Sequence, residues 1–235
     1  MINISVLTGR GGSSLADKNV RLVFGKPVLA YPCIAANQAG IFEASFCSSD
    51  DAKILDSALD YGFKSIVRPE VLASDKAKHI DVINHAISSL QELNIFPDCL
   101  TILMANSATI TRNQLQEAHS LLLSDESLSS VTPVIENQDH HPFRSRQLVD
   151  GDLKPYFDHD IALSSNRQEL PKNYFFTHSF WMIRLVDGKL PHCESATPWE
   201  FMGNKIKPIV VDYSVDIHDL EDIAMTEKWL MDNSR

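Results

Sequence analysis

Short apolar stretches alternate with amphipathic helical stretches through the first 135 residues of the chain, and few folds accept that alternation. Parallel strands need a long crossover between them, and a helix is the usual one. The pattern therefore predicts right-handed βαβ units and a mostly parallel sheet flanked by helices, which is an α/β fold. The predicted strands are residues 3–7, 44–48, 65–67, 99–103 and 129–135.

Helix signals fall between these strands. Asp50 is a candidate N-cap for a helix that Gly62 ends. Residues 79–93 place isoleucine and leucine on one face at helical spacing. Thr111 and Gln114 have the spacing of a capping box, which predicts that a third helix begins there.

Residues 137–177 break this pattern. They are polar, rich in His, Asp, Pro and Arg, and have no helical period, so we expect an inserted lobe of short strands and loops. Strands are then predicted at residues 180–185 and 209–213, and a closing helix at 220–230. The chain is expected to form one domain over all 235 residues, with the lobe inside it.

Composition excludes several classes of protein. The chain has 21 Lys and Arg against 31 Asp and Glu, a net charge of −10, whereas a duplex nucleic-acid binder needs a basic face. No apolar run approaches the length of a membrane span, and the N-terminus lacks the layout of a signal peptide. The four cysteines are widely spaced, which predicts free thiols in a reducing cytoplasm.

A glycine-rich segment, Gly9-Arg10-Gly11-Gly12-Ser13, directly follows the first predicted strand. Glycines let a backbone turn tightly, and exposed amide groups beside Arg10 and Lys18 would suit a phosphate chain. The segment lacks the Gly-Lys-Ser/Thr of a P-loop, and Ser14 stands where a dinucleotide fingerprint has its last glycine. Taken alone, it can equally be a plain turn.

A series of motifs, in order along nearly the whole chain, resembles the CMP-sialic acid synthetases, also called acylneuraminate cytidylyltransferases. The motifs are Gly9-Arg10-Gly11-Gly12-Ser13, Lys18-Asn19, Gly25-Lys26-Pro27 with Tyr31, Ser48-Ser49-Asp50, Arg68-Pro69-Glu70-Val71-Leu72-Ala73-Ser74-Asp75, Arg167-Gln168-Glu169-Leu170-Pro171, and Val215-Asp216-Ile217 with Glu221-Asp222.

This resemblance implies a Rossmann-like nucleotidyltransferase fold. It also implies transfer of CMP from CTP to the anomeric hydroxyl of a nine-carbon 2-keto sugar acid, with Mg²⁺ and release of pyrophosphate. Attack at a phosphorus builds charge on phosphate oxygens, so cations and amide donors should do most of the catalysis. The resemblance makes Arg10, Lys18 and Asp216 catalytic, with Asp216 also the metal ligand. It assigns nucleotide binding to Gly9, Arg10, Gly11, Gly12, Ser13, Lys18, Asn19, Arg68, Ala77 and His79.

The resemblance further implies a homodimer, in which the inserted lobe reaches into the partner's active site. Arg144 and Arg167 stand at positions that would receive the sugar carboxylate, and arginine suits bidentate carboxylate binding. Gln168 adjoins them. The remaining expected acceptor-binding residues are Met104, Thr177 and Trp181.

The chain departs from the family pattern mainly on the acceptor side. Met104 replaces a glutamine, Thr177-His178-Ser179-Phe180-Trp181 replaces an Asn-Gly-Ala-Ile-Tyr type of strand, and a lysine common in the first loop is missing. His218 stands where the family has a second aspartate, and it can ligate metal or only hydrogen-bond near the last helix. Asp219 is expected to cap that helix.

These departures leave three interpretations. The acceptor can be a sialic acid or a related nonulosonate. It can instead be a non-sialic acid such as another acidic sugar or a phosphonate. The chain can also be a nucleotide-binding paralogue that has lost catalysis, an interpretation supported only by His218 and the missing lysine.

Overall fold

The sheet that organises the chain has eight strands, as seen in a computed structural model that describes residues 1–12, 15–74, 76–157 and 166–233. The described residues form twelve strands, of which all but β2, β3, β8 and β9 belong to this sheet. They are β1 Asn3–Thr8, β2 Leu22–Val23, β3 Lys26–Pro27, β4 Ala44–Ser49, β5 Lys64–Val67, β6 Cys99–Met104, β7 Ser130–Glu136, β8 Arg146–Val149, β9 Asp152–Pro155, β10 Tyr174–Phe176, β11 Phe180–Arg184 and β12 Ile206–Val210. The helices are α1 Ala30–Ala39, α2 Ala52–Leu59, α3 His79–Glu92, α4 Arg112–Ser124 and α5 Leu220–Asn233.

The main sheet runs β7-β11-β6-β1-β4-β5, with β10 continuing beside β7 and β12 on the other edge of β7. β1 is parallel to β4 and β6, β4 to β5, and β12 to β7. β10 and β11 run antiparallel to their neighbours. The predicted mostly parallel α/β sheet is confirmed.

Helices cover both faces of this sheet. Leu7 of β1 packs in a core with side chains of α1, α2 and α4. Ile4 and Val6 of the same strand pack in a second core with α3 and with Trp181 of β11. The alternation follows from the two-residue period of a strand, and it anchors β1 between two helical layers.

The inserted lobe contains a separate hairpin of β8 and β9. Its turn uses Asp150 and Gly151, both at positive φ, which is the chemistry of a two-residue hairpin turn. Leu148 and Leu153 lie opposite each other and are 73% and 74% exposed. The range predicted for the lobe ends inside the main sheet, because Tyr174–Phe176 forms β10.

Several local predictions are confirmed and others need correction. Thr111 and Gln114 make both hydrogen bonds of a capping box. Asp51 rather than Asp50 caps α2. The last strand lies at Ile206–Val210, three residues before its predicted place. The predicted strand begins after Pro208, but an edge strand tolerates a proline. Helix α1 was not predicted, since it has buried residues on several sides and an internal Pro32.

The four cysteines are free thiols, and Cys33, Cys47 and Cys99 are buried. Burial raises the pKa of Cys47 to about 12. Among the described residues, no helix combines the length and apolar character that a membrane crossing requires.

Candidate active site

A cavity of about 310 Å³ opens where β1 and β6 end. These strands are parallel, so their carboxyl ends meet at one edge of the sheet, where open α/β sheets bind ligands. The start of α3 and the segment before α5 also line the cavity. The predicted site residues that line this cavity are Gly9, Arg10, Lys18, Asn19, Arg68, Ala77, His79, Met104, Asp216 and His218.

Of the other predicted residues of the first loop, the structure describes Gly11 and Gly12. The amide of Gly11 donates to Oδ1 of Asp50 over 3.2 Å, which ties the loop to the start of α2. Neither Gly11 nor Gly12 lines the cavity. Ser13, a predicted triphosphate-binding residue, lies outside the described residues.

Gly9 is needed for close packing where the loop leaves β1. A β-carbon there would lie 3.0 Å from Cβ of Ala105 and 3.2 Å from Nδ2 of Asn19. Asn19 is buried, and its Nδ2 donates to the backbone oxygen of Arg10 over 3.1 Å. The buried amide therefore fixes the course of the loop, and Gly9 leaves the space for it.

Cationic side chains converge on the cavity. Nζ of Lys18 donates to the backbone oxygen of Ile217 over 3.0 Å. Burial lowers the pKa of Lys18, and the carboxylate of Asp216 opposes that shift. Nη1 of Arg10 lies 3.5 Å from the backbone oxygen of Ala73. Such a group of cations attracts the phosphates of a nucleotide.

Arg68 is the most buried of these cations, at 6% exposed. It donates to the backbone oxygen of Ser48 over 2.7 Å and to the Ser48 hydroxyl over 3.3 Å. Burial lowers the pKa of Arg68, against the opposing effect of Asp50. Within the described ranges Arg68 forms no ion pair with a carboxylate, and it lines the cavity.

Asp216 faces these cations from the segment before α5. Its Oδ1 accepts a hydrogen bond from the side-chain amide of Asn106, and its Oδ2 lies 3.0 Å from Nε2 of His218. The backbone amide of His218 donates to Oδ2 of Asp222 over 2.7 Å. Asp219 accepts from the amides of residues 221 and 222, so its predicted capping role is confirmed.

Asn106 lines the cavity and was not predicted as a site residue. The signal that could have found it is its place two residues after β6, at the same edge of the sheet as the first loop. Its backbone also takes part, because the amide of Ile217 donates to the Asn106 oxygen over 3.2 Å. Asn106 thus connects the end of β6 to the segment that carries Asp216.

Aromatic rings form the wall of the cavity behind His79. The ring of His79 lies 5.3 Å from that of Trp181, edge to face. The ring centroid of His178 lies 6.2 Å from that of Trp181 and 4.7 Å from that of Trp199. Burial lowers the pKa of both His79 and His178. His178 has a φ of 54°, in the interruption between β10 and β11, where the resembled family has glycine.

The structure corrects the expected role of Trp181. Its side chain is fully buried in the core on the α3 side of the sheet, so it supports the wall and presents no surface to an acceptor. Thr177 also lies outside the cavity lining, and its hydroxyl is 3.3 Å from the backbone oxygen of Pro133 and 2.8 Å from the Ser179 hydroxyl.

The predicted acceptor arginines meet on the lobe, away from the cavity of their own chain. Nη1 of Arg167 lies 2.5 Å and Nη1 of Arg144 3.7 Å from Oδ1 of Asp139. The hydrogen bond from Arg167 is the main reason that the pKa of Asp139 is lowered. Gln168 follows in a short 3-10 turn capped by Asn166. The two arginines therefore already converge on one carboxylate.

A cationic cavity with a carboxylate, at the carboxyl edge of a mostly parallel sheet, defines a nucleotide-binding α/β protein. The sequence model of the cytidylyltransferase family matches residues 5–185, and the chain belongs to that family of nucleotidyltransferases.

Known proteins similar to this chain agree with that membership. A pseudaminic acid cytidylyltransferase of Campylobacter jejuni is 29% identical over 185 residues, which cover 77% of this chain and 78% of that protein. A CMP-N,N'-diacetyllegionaminic acid synthase of Legionella pneumophila is 26% identical over 231 residues, 96% of this chain and 94% of that protein. A CMP:2-keto-3-deoxy-manno-octonic acid synthetase complexed with CTP has the same fold, with a TM-score of 0.71 over 99% of each chain at 15% identity.

Proposed function

We propose that the protein transfers CMP from CTP to a hydroxyl of a nonulosonic acid and releases pyrophosphate. One observation carries this proposal. Arg10 and Lys18 line a single cavity together with Asp216, within a cytidylyltransferase fold. That arrangement matches the needs of a triphosphate, because cations neutralise phosphate oxygens and a carboxylate faces the accompanying divalent cation.

In the proposed reaction, the acceptor hydroxyl gives up its proton to solvent and its oxygen forms a bond to the α-phosphorus, while the bond from that phosphorus to the oxygen shared with the β-phosphate breaks. Negative charge grows on the departing pyrophosphate. Arg10 and Lys18 would stabilise it, since both are held in place by protein carbonyl groups before a nucleotide arrives. Arg68 and His79, which also line the cavity, would contact the nucleoside part.

A divalent cation is part of the proposal, and the family resemblance gives Mg²⁺. When bound, such a cation neutralises triphosphate charge. Asp216 and His218 would hold it, because both line the cavity and their facing donor atoms are 3.0 Å apart. Among the described residues no group of three or more His, Cys, Asp or Glu is placed to hold a metal ion.

We also propose a homodimer in which the lobe of one protomer supplies Arg144 and Arg167 to the cavity of its partner. The two arginines do not line the cavity of their own chain. The exposed Leu148 and Leu153 on the β8–β9 hairpin offer apolar area for such an interface. The buried free thiols are in keeping with action in the cytoplasm.

The proposed acceptor is a nonulosonic acid of the pseudaminic or legionaminic type. Met104 supports this choice, because a thioether lines the cavity where the resembled family has a glutamine that would touch the sugar. An apolar contact favours an acceptor with fewer hydroxyl groups than N-acetylneuraminic acid at that position.

A pyrophosphate-release assay tests the proposal. CTP, ATP, GTP and UTP are each paired with pseudaminic, legionaminic and N-acetylneuraminic acids, an octulosonic acid and a phosphonate. We expect release with CTP and a nonulosonic acid. Release with the phosphonate alone would favour the non-sialic acceptor. Thermal stabilisation by CTP without release from any acid would favour the nucleotide-binding paralogue.

A further inference from the structure

The pair formed by Asp216 and His218 contains one oxygen donor and one nitrogen donor. We propose that this pair selects Mn²⁺ over Mg²⁺ as the divalent cation bound with the nucleotide. The proposal rests on the nucleotidyl transfer proposed above, and it assigns to His218 the role of determining which metal is used.

The geometry of the pair matches two ligands of one ion. Two donors at right angles around an ion, each about 2.1 Å from it, are roughly 3.0 Å apart. Oδ2 of Asp216 and Nε2 of His218 are 3.0 Å apart. An ion bound to both atoms would therefore replace the hydrogen bond between them.

Neighbouring groups hold the carboxylate of Asp216 and the backbone of the pair in this arrangement. The amide of Asn106 engages Oδ1 of Asp216, which leaves Oδ2 directed at His218. The backbone between the two residues is fixed as well, because Ile217 bonds to Asn106 and Lys18, and the amide of His218 bonds to Asp222. Such outer partners orient metal ligands and raise the affinity of a site.

The donor chemistry decides the choice of ion. Mg²⁺ is a hard cation that binds oxygen ligands and keeps much of its water. An imidazole in place of a second carboxylate removes both an oxygen donor and a negative charge. First-row transition ions accept imidazole, and among them Mn²⁺ also suits carboxylate and phosphate oxygens. A site of one carboxylate, one imidazole and nucleotide phosphates therefore favours Mn²⁺.

Electron paramagnetic resonance tests this without turnover. The full chain is mixed with Mn²⁺ and CTP, and Mg²⁺ is titrated in as competitor. We expect Mg²⁺ to displace Mn²⁺ only at large excess. In His218→Asp the dissociation constant for Mg²⁺ divided by that for Mn²⁺ should fall by roughly tenfold or more. His192→Asp, which exchanges an exposed histidine outside the cavity lining, should leave the ratio unchanged.

A spectroscopic readout keeps the test valid if His218→Asp folds poorly. Spin-echo modulation from a directly bound nitrogen should appear on Mn²⁺ in the wild-type protein, change with ¹⁵N-histidine labelling, and disappear in His218→Gln. The proposal is overturned if Mg²⁺ displaces Mn²⁺ at equal concentration. It is also overturned if the wild-type protein shows no spin-echo modulation from a histidine nitrogen. Failure of nucleotidyl transfer is a separate result, because the release assay with saturating Mn²⁺ or Mg²⁺ reports it independently.

Discussion

The side-chain amide of Asn106 donates a hydrogen bond to Asp216, although the two residues are 110 positions apart in the chain. This contact joins the end of β6 to the segment before α5. It also fixes one carboxylate oxygen, so the other faces the cavity. The position of an acidic group that faces the cations of the site thus depends on a neutral residue of a distant segment.

Replacing Asn106 with alanine should weaken binding of the divalent cation, because Asp216 loses the partner that orients it. We expect the metal concentration for half-maximal pyrophosphate release to rise by roughly tenfold, with about 1–2 kcal/mol lost from the free energy of unfolding. Ser107→Ala is the matched control, since Ser107 bonds to Val215 and not to the carboxylate. An equal change in metal dependence in both variants would contradict the orienting role of Asn106.

Replacing Lys18 with alanine should lower kcat for pyrophosphate release by about a hundredfold or more, because a positioned cation is lost from the developing charge. The free energy of unfolding should fall by only about 1 kcal/mol, since one hydrogen bond to Ile217 is removed. Lys53→Ala removes an exposed lysine that pairs with Asp17, and its activity should match wild type. Wild-type activity in Lys18→Ala would remove Lys18 from the catalytic group.

Replacing Gly9 with alanine should weaken nucleotide binding as well as lower the stability of the fold. The new β-carbon would press on Ala105 and on the amide of Asn19 that holds the loop. We expect a loss of about 1–3 kcal/mol in unfolding free energy and a smaller thermal shift with CTP. Gly12→Ala meets nothing within 4 Å and should bind CTP normally. Equal CTP shifts in the two variants would refute this account of Gly9.

Stability should decline as the pH falls below about 6.5. Burial lowers the pKa of His79 and of His178 from their ordinary value of 6.5, and Arg68 adds to the effect at His79 while Asp216 opposes it at both. As the pH falls through 6.5, the unfolded chain binds protons that the native state does not yet accept, so the free energy of unfolding decreases. This contribution is fully present above that pH.

Urea unfolding between about pH 7.5 and about pH 5 measures this dependence. A double variant, His79→Gln with His178→Gly, should show a flatter slope, and glycine suits the φ of 54° at residue 178. His192→Gln, which changes an exposed histidine, should keep the wild-type slope. A double variant with the wild-type slope would show that other groups cause the pH dependence.

Much of the fold could be predicted because its signals are local. β1 and β6 are largely apolar runs, and the capping box at Thr111 is a four-residue pattern. Helix α1 lacks a local signal, since a helix buried on several sides has no polar face. The cavity residues near β1 were predicted because motif and strand end coincide there.

The unpredicted parts of the site depend on contacts between distant segments. Asn106 becomes a site residue only when β6 lies beside the segment carrying Asp216. The burial of Trp181 depends on how α3 and residues 199–202 cover its strand. Arg144 and Arg167 converge on Asp139 because the lobe folds back on itself, which their separation in sequence does not show.

The order of strands in the sheet also sets an order of assembly. β1, β4, β5 and β6 pair with one another and are complete once residue 104 has been synthesised. In the described part of the chain, every strand that pairs with β7 comes later than β7 itself. β7 therefore leaves the ribosome with both edges unpaired and joins the sheet only when β11 pairs with it and with β6. A nascent chain that stops before residue 180 exposes an apolar strand to other chains, so aggregation of truncated products should begin at β7.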